Sequence, residues 1–184
     1  ARPMEAIKLV FGTEKRGIDI PFVTPSFETN IPGIFIAGEL GGMGLVRKAA
    51  EQGAQAINAI KGLKNRGKTD FDVVIVGSGP AGIAAGLGAI QHKLRYRIVE
   101  QEDSLGGTVY HYPRNKVIMT SPVQLPLVGK VKMTEISKEA LLEFWRGVVG
   151  KTGLTIHFKE RMEAIQPQGD GFLVKTTLGE HSTR

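Results

Sequence analysis

The run VVIVGSGPAGIAAG, Val73 to Gly86, constrains this chain more than any other stretch. Four apolar residues, a glycine-rich turn and then small residues predict a buried strand that turns sharply into a helix. Pro80 suits the first turn of that helix, where a missing N–H breaks no hydrogen bond. YRIVEQ, Tyr96 to Gln101, reads as a second strand and completes a β-α-β unit. Gly77, Ser78, Gly79, Pro80, Ala81 and Gly82 match the pattern GxGxxG. There Gly77 permits the tight turn, Gly79 lets a pyrophosphate approach the backbone, and Gly82 lets the helix lie against the strand. The helix N-terminus adds free N–H groups and a partial positive charge for the phosphates. Glu100 ends the second strand, 18 residues beyond Gly82, where an acid hydrogen-bonds an adenosine ribose. A carboxylate at that place also repels a 2′-phosphate, which favours FAD or NAD over NADP. A glycine turn used for packing alone leaves the position of Glu100 unexplained.

The chain divides at the basic, glycine-containing run KGLKNRGK, Lys61 to Lys68. Residues 1–62, a linker over 63–69 and residues 70–184 are the expected parts. Before the linker, residues 1–20 predict one short helical turn. TPSFETNIPG is rich in turn formers, and IFIAG, Ile34 to Gly38, reads as a strand buried on both faces. After Gly41 and Gly42, the spacing of Leu45, Val46, Ala49, Ala50, Gly53, Ile57 and Ile60 marks one face of an amphipathic helix. Beyond the β-α-β unit, EDSLGGTVYHYPRNKVIMTSP reads as a long irregular stretch, of the kind that touches ligands. SKEALLEFWRGVVGKTG predicts a helix capped by Ser137 and ended by Gly150 or Gly153. Trp145, beside Leu141 and Phe144 on that helix, reads as core. LTIHF, RMEAIQPQ and GFLVKTT follow as short strands with a turn at QGDG.

Composition removes several classes of function. With no cysteine in 184 residues, the chain has no disulfide, thiolate nucleophile, CxxC pair or cysteine-held cluster of its own. Its four histidines lie far apart, so no metal site is expected. The net charge of +6 comes from scattered Lys and Arg, which reads as a soluble surface and not as a nucleic-acid face. No apolar run reaches the roughly 20 residues of a membrane span. The expectation is a cytoplasmic, soluble α/β chain that binds no nucleic acid and no membrane.

The segment VEQEDSLGGTVYHYP, following GPAG, resembles the FAD half of the pyridine-nucleotide-disulfide oxidoreductase superfamily, as in thioredoxin-reductase-like flavoproteins. LGGTVYHYPRNKVIMTSPVQLPLVGK is similar to the bacillithiol-disulfide-reductase-like and flavin-monooxygenase-like branches. The resemblance covers residues 70–184 and implies a Rossmann-like FAD/NAD(P)-binding fold, a parallel sheet with helices plus a small β-meander. It implies FAD as cofactor and NAD(P)H as electron donor to the full-length protein. Its implied cofactor contacts are Gly77, Ser78, Gly79, Pro80, Ala81 and Gly82 at the pyrophosphate and Glu100 with Gln101 at the adenosine. Gly106, Gly107 and Thr108 fall along the pyrophosphate and flavin, and the backbone of Met162 falls near the adenine. Tyr110, His111 and Tyr112 then wall the flavin pocket or relay protons. No catalytic residue is assigned.

ETNIPGIFIAGELGGMGLVRKAAEQGAQAINAI resembles the same superfamily's C-terminal flavin segment, with Gly38 and Glu39 at the ribityl positions. Glu39 stands where the family usually has Asp. In that family this segment ends the chain, whereas here it comes first. The expectation is therefore a piece of a longer protein, with its flavin segments in permuted order. Residues 34–60 would fold back onto the sheet begun at Val73, or pair between two copies as a homodimer. The expected partners are a nucleotide cofactor and other domains of the parent protein. The expected activity is hydride transfer from NAD(P)H to FAD and on to an acceptor. The alternatives are a nucleotide-binding or assembly module without catalysis and an NAD-binding dehydrogenase domain.

Overall fold

The computed structural model describes residues 22–38, 46–63 and 68–184. Helix α1, Val46–Lys61, presents Val46, Ala49, Ala50, Gly53, Ala56, Ile57 and Ile60 to the interior. Strand β1, Val73–Val76, leads through Gly77 to helix α2, Pro80–Gln91, and then to strand β2, Tyr96–Val99. β1 and β2 run parallel, with Val73 opposite Tyr96 and Val76 opposite Val99. Strand β7, Ile156–His157, extends this sheet on the far side of β2, also in parallel. Among the described residues the sheet order is β1-β2-β7.

Helix α2 is made of small and aliphatic residues because it is enclosed on two sides. Ile83, Ala84, Ala85, Gly86, Leu87, Gly88 and Ala89 are all buried. Toward the sheet, a Cβ on Gly86 would lie 2.6 Å from Ile98 Cδ1 and 2.7 Å from Leu154 Cδ1. Toward α1, a Cβ on Gly88 would lie 3.0 Å from Ile57 Cγ2. From the α1 side, a Cβ on Gly53 would sit 2.1 Å from the Ala81 carbonyl oxygen. The two helices thus meet at backbone distance at Gly53, and side chains from the sheet and from α1 fill the spaces left at Gly86 and Gly88.

Helix α3, Lys138–Thr152, opens on Ser137, whose Oγ accepts the Ala140 N–H at 3.1 Å. It closes at Gly153 in the left-handed conformation, φ 72°. The later of the two expected stops therefore applies. Leu141, Leu142, Trp145 and Val148 turn inward, and Trp145 is 1% exposed. Strands β8, Met162–Gln168, β9, Gly171–Thr176, and β10, Gly179–Thr183, form an antiparallel meander.

Two expectations are corrected. IFIAG forms no strand of the sheet. Phe35 makes an isolated bridge with Glu28, and Ile36 N–H donates to the Phe27 carbonyl at 2.9 Å. The run closes on its own upstream turn, and Ile34 to Ala37 are half-buried. The stretch after Glu100 is also more ordered than expected. It contains a 3-10 turn over Gly107–His111 and a bent double hairpin. In that hairpin β3, Val117–Met119, pairs with β6, Glu135–Ser137, and β4, Val123–Leu125, pairs with β5, Gly129–Val131. Three-residue strands broken by Thr120, Ser121 and Pro122 carry too short an alternation to announce themselves. Among the described residues no helix is long and apolar enough to cross a membrane.

Candidate functional site

The site is built around the turn from β1 into α2. Gly77 has φ 102°, a conformation that L side chains rarely adopt, and a Cβ there would meet nothing within 4 Å. Gly82 works by closeness instead. A Cβ on it would stand 2.0 Å from the Gly77 carbonyl oxygen, so the helix lies directly on the turn. The first helical hydrogen bond runs from Ile83 N–H to the Gly79 carbonyl at 2.9 Å. The N–H groups of Ala81 and Gly82 precede it and have no acceptor within the helix. They form the anion-facing end of α2.

A second glycine pair lies against this turn. Gly106 N–H donates to the Ser78 carbonyl at 2.9 Å, and Gly106 takes φ 118°. The position of a Cβ on Gly107 is 3.0 Å from Gly79 Cα. Backbone meets backbone here. Gly38 joins from the first segment. Its N–H donates to Gln52 Oε1 at 2.9 Å, and its own Cβ position is 3.4 Å from Ala81 Cβ. Gln52, on α1, has no counterpart in the sequence reading, because a polar residue on a helix flank carries no signal of what it holds. Glu39 lies outside the described residues, as do residues 1–21, 39–45 and 64–67.

Glu100 follows β2 directly and is 4% exposed. Its Oε2 accepts two hydrogen bonds from Ser78, one from the N–H at 2.8 Å and one from Oγ at 2.7 Å. Its Oε1 accepts the Glu102 N–H at 3.0 Å. Ser78 is fully buried, and both its donors face the Glu100 carboxylate. Gln101 and Thr108 are exposed beside Glu100 and Gly107, and Met162 begins β8 half-buried, opposite Thr176. The structure therefore brings together Gly38, Gly77 to Gly82, Glu100, Gly106 and Gly107. No described contact draws Gln101, Thr108 or Met162 into that group.

The aromatic segment is tied down at its edges. Tyr110 and His111 meet edge to face at 5.3 Å, and Lys138 Nζ donates to the Tyr112 carbonyl at 2.5 Å. His111 Nε2 stands 3.6 Å from Glu102 Oε1.

A second buried carboxylate lies just behind the site. Glu160 is fully buried and receives Arg97 at 2.8 Å, Thr176 Oγ1 at 2.6 Å and His181 Nε2 at 2.7 Å. Burial raises the pKa of this carboxyl, but the Thr176, His181 and Arg97 bonds outweigh it and bring it down to about 2. Burial and the nearby Arg97 hold His157 below the usual histidine range. Among the described residues no group of histidines and acids is arranged to hold a metal.

Residues 74–184 match the family model described as pyridine nucleotide-disulphide oxidoreductase. Ferredoxin–NADP reductase 1 of Bacillus thuringiensis (strain Al Hakam) is 31% identical over 111 residues, covering 60% of this chain and 29% of that protein. A soluble pyridine nucleotide transhydrogenase of Chromohalobacter salexigens is 46% identical over 43 residues, 23% of this chain and 9% of that protein. Among solved structures, the bacillithiol disulfide reductase from Bacillus cereus superposes with a TM-score of 0.54 at 24% identity, over 61% of this chain and 36% of its own. A flavin-containing monooxygenase from Stenotrophomonas maltophilia gives 0.53 at 22%, over 64% and 37%. These structural likenesses establish the fold. The chain spans about 29% of the length of the ferredoxin–NADP reductase it matches.

Proposed function

The chain belongs to the pyridine nucleotide-disulphide oxidoreductase family, and from that premise we propose that it is the FAD-binding portion of an NAD(P)H-dependent flavoprotein oxidoreductase. One observation carries the proposal. The Gly106–Gly107 pair meets the Gly77–Gly82 turn backbone to backbone, and the buried Glu100 carboxylate is hydrogen-bonded to Ser78 of that turn, an arrangement suited to a dinucleotide. The residues present fit the group. The free N–H groups of Ala81 and Gly82 would take the pyrophosphate, and Glu100 would take the adenosine ribose. Gly38, held by Gln52 beside Ala81, would close the flavin side, so that residues 22–63 and 68–184 together build one site in permuted order.

Bound FAD would supply the hydride chemistry, accepting from NAD(P)H and passing reducing equivalents onward. The protein's own residues bind and orient it. Tyr110 and Tyr112, fixed by α3 through Lys138, would exclude water from one side. The acceptor is proposed only by class. Relatives bear the names ferredoxin–NADP reductase and bacillithiol disulfide reductase. With no cysteine in the sequence, a dithiol step has no residue here to carry it.

The test is direct. The purified chain, incubated with FAD and desalted, should retain visible flavin absorbance. Glu100→Ala should weaken FAD by roughly 1.5–3 kcal/mol for each charge-assisted hydrogen bond lost. A colourless protein that ignores added FAD would sink the proposal. NADH binding at the Gly77 turn without FAD binding would replace it with a dehydrogenase reading.

A further inference from the structure

We infer that the Ser78 hydroxyl is a positioning group, which commits one oxygen of Glu100 to the protein and leaves the other a single open acceptor position. The site would then read one hydroxyl of an adenosine ribose and not both. This inference rests on the reading of the Gly77 turn as an FAD site.

A carboxylate has about four acceptor positions. Three are filled here, two on Oε2 by Ser78 and one on Oε1 by Glu102. Oε2 is bracketed by two donors of the same residue, at 2.8 and 2.7 Å, so it has no position to offer a ligand. The main chain is anchored at both ends of this contact. Ser78 is held through its carbonyl by Gly106 N–H at 2.9 Å. The Glu100 backbone is held by its N–H on the His157 carbonyl at 2.8 Å and by the Glu160 N–H on its carbonyl at 2.9 Å. A glutamate with both oxygens unengaged would accept both vicinal hydroxyls of a ribose, but this one has two donors on Oε2 and one on Oε1.

The position also explains why a serine stands inside a glycine motif. Ser78 is fully buried, and its Oγ lies 2.7 Å from Glu100 Oε2. Alanine there would keep the fold of the turn and remove only the hydroxyl. Oε2 would then regain an open acceptor position.

The experiment titrates the full chain with FAD and with two FAD analogues, lacking the adenosine 2′-hydroxyl or the 3′-hydroxyl. The expected result is one analogue bound about tenfold more weakly than FAD and the other within about threefold, the tenfold step matching one hydrogen bond to a charged group. In Ser78→Ala the gap between the analogues should close to within about threefold, a readout that a merely structural role would not move. Equal weakening of both analogues by the wild-type chain overturns the inference, and so does a gap that survives intact in Ser78→Ala. If Ser78→Ala does not fold, the wild-type analogue pair decides alone. FAD binding without a difference between analogues defeats this inference only, whereas no FAD binding by the wild-type chain defeats the flavin reading itself.

Discussion

The two buried glutamates, Glu100 and Glu160, are neighbours through the backbone and are held in opposite ways. The Glu160 N–H donates to the Glu100 carbonyl at 2.9 Å, so the two residues share one backbone link. Glu160 is fully buried and meets Arg97, which balances its charge, and the His181 ring, which hydrogen-bonds it. Glu100 is 4% exposed, and no cation pairs with it among the described residues. Its three partners are neutral donors with fixed geometry. A charge met by a cation and by hydrogen bonds from separate strands holds those strands together. A charge held by neutral donors keeps acceptor capacity for a ligand. Burial alone would not have told the two apart, but the partners do.

The largest effect should come from Glu160→Ala. It leaves Arg97 and His181 facing each other without the shared anion, with Arg97 Nε already lacking a partner. The expected loss is about 3–5 kcal/mol of unfolding free energy, read by denaturant titration. An effect below about 1 kcal/mol would show that the cluster is incidental to the fold.

Acid should expose the contribution of Glu160. The Glu160 carboxyl has a folded-state pKa of about 2, below its ordinary value of 4.5. A depressed carboxylate adds stability above the unfolded pKa, and that stability is lost as pH falls through the folded one. The window is therefore pH 4.5 down to about 2, and the loss should be on the order of 3 kcal/mol. In Glu160→Ala this component should vanish from the pH profile, while in Glu100→Ala it should persist. Asp72 is also held low, and it contributes in the same direction. Burial raises its pKa, but the Arg95 bonds and the neighbouring Arg184 prevail.

Glu100→Ala should cost less stability, about 1–3 kcal/mol, because only the Ser78 donors and one N–H lose their acceptor. Its larger consequence should be in FAD affinity, measured by titration of the same protein. A variant that unfolds as readily as Glu160→Ala would remove the distinction between holding strands and holding a ligand.

Much of this arrangement was legible in the sequence where it rests on local signals. The glycine turn, the helix opened by Pro80, the cap at Ser137 and the face of α1 are patterns within a few residues of one another. Glu100 was legible because its spacing from Gly82 is fixed by the β-α-β unit. The Glu160 cluster was not, since Arg97, Thr176 and His181 arrive from three strands whose register no local pattern encodes. IFIAG misled for a related reason. An apolar run reports that it wants burial, but not whether its hydrogen bonds go to a sheet or to its own preceding turn. The role of Ser78 was hidden because a serine in a glycine motif looks like a phosphate contact until its hydroxyl is seen facing inward.

The smallest predicted effect on FAD affinity is the sharpest probe of the link between the two glutamates. Thr176→Val removes one hydroxyl from Glu160 Oε2 and an acceptor from the Leu178 N–H, leaving Arg97 and His181 in place. It should lower stability by about 1.5–3 kcal/mol, as expected for a buried hydrogen bond to a charged carboxylate. FAD affinity should stay within about twofold, because Glu100 is connected to Glu160 through the backbone and not through this side chain. A fall in affinity as large as that of Glu100→Ala would mean that the side-chain cluster sets the position of Glu100. The two carboxylates would then act as one unit.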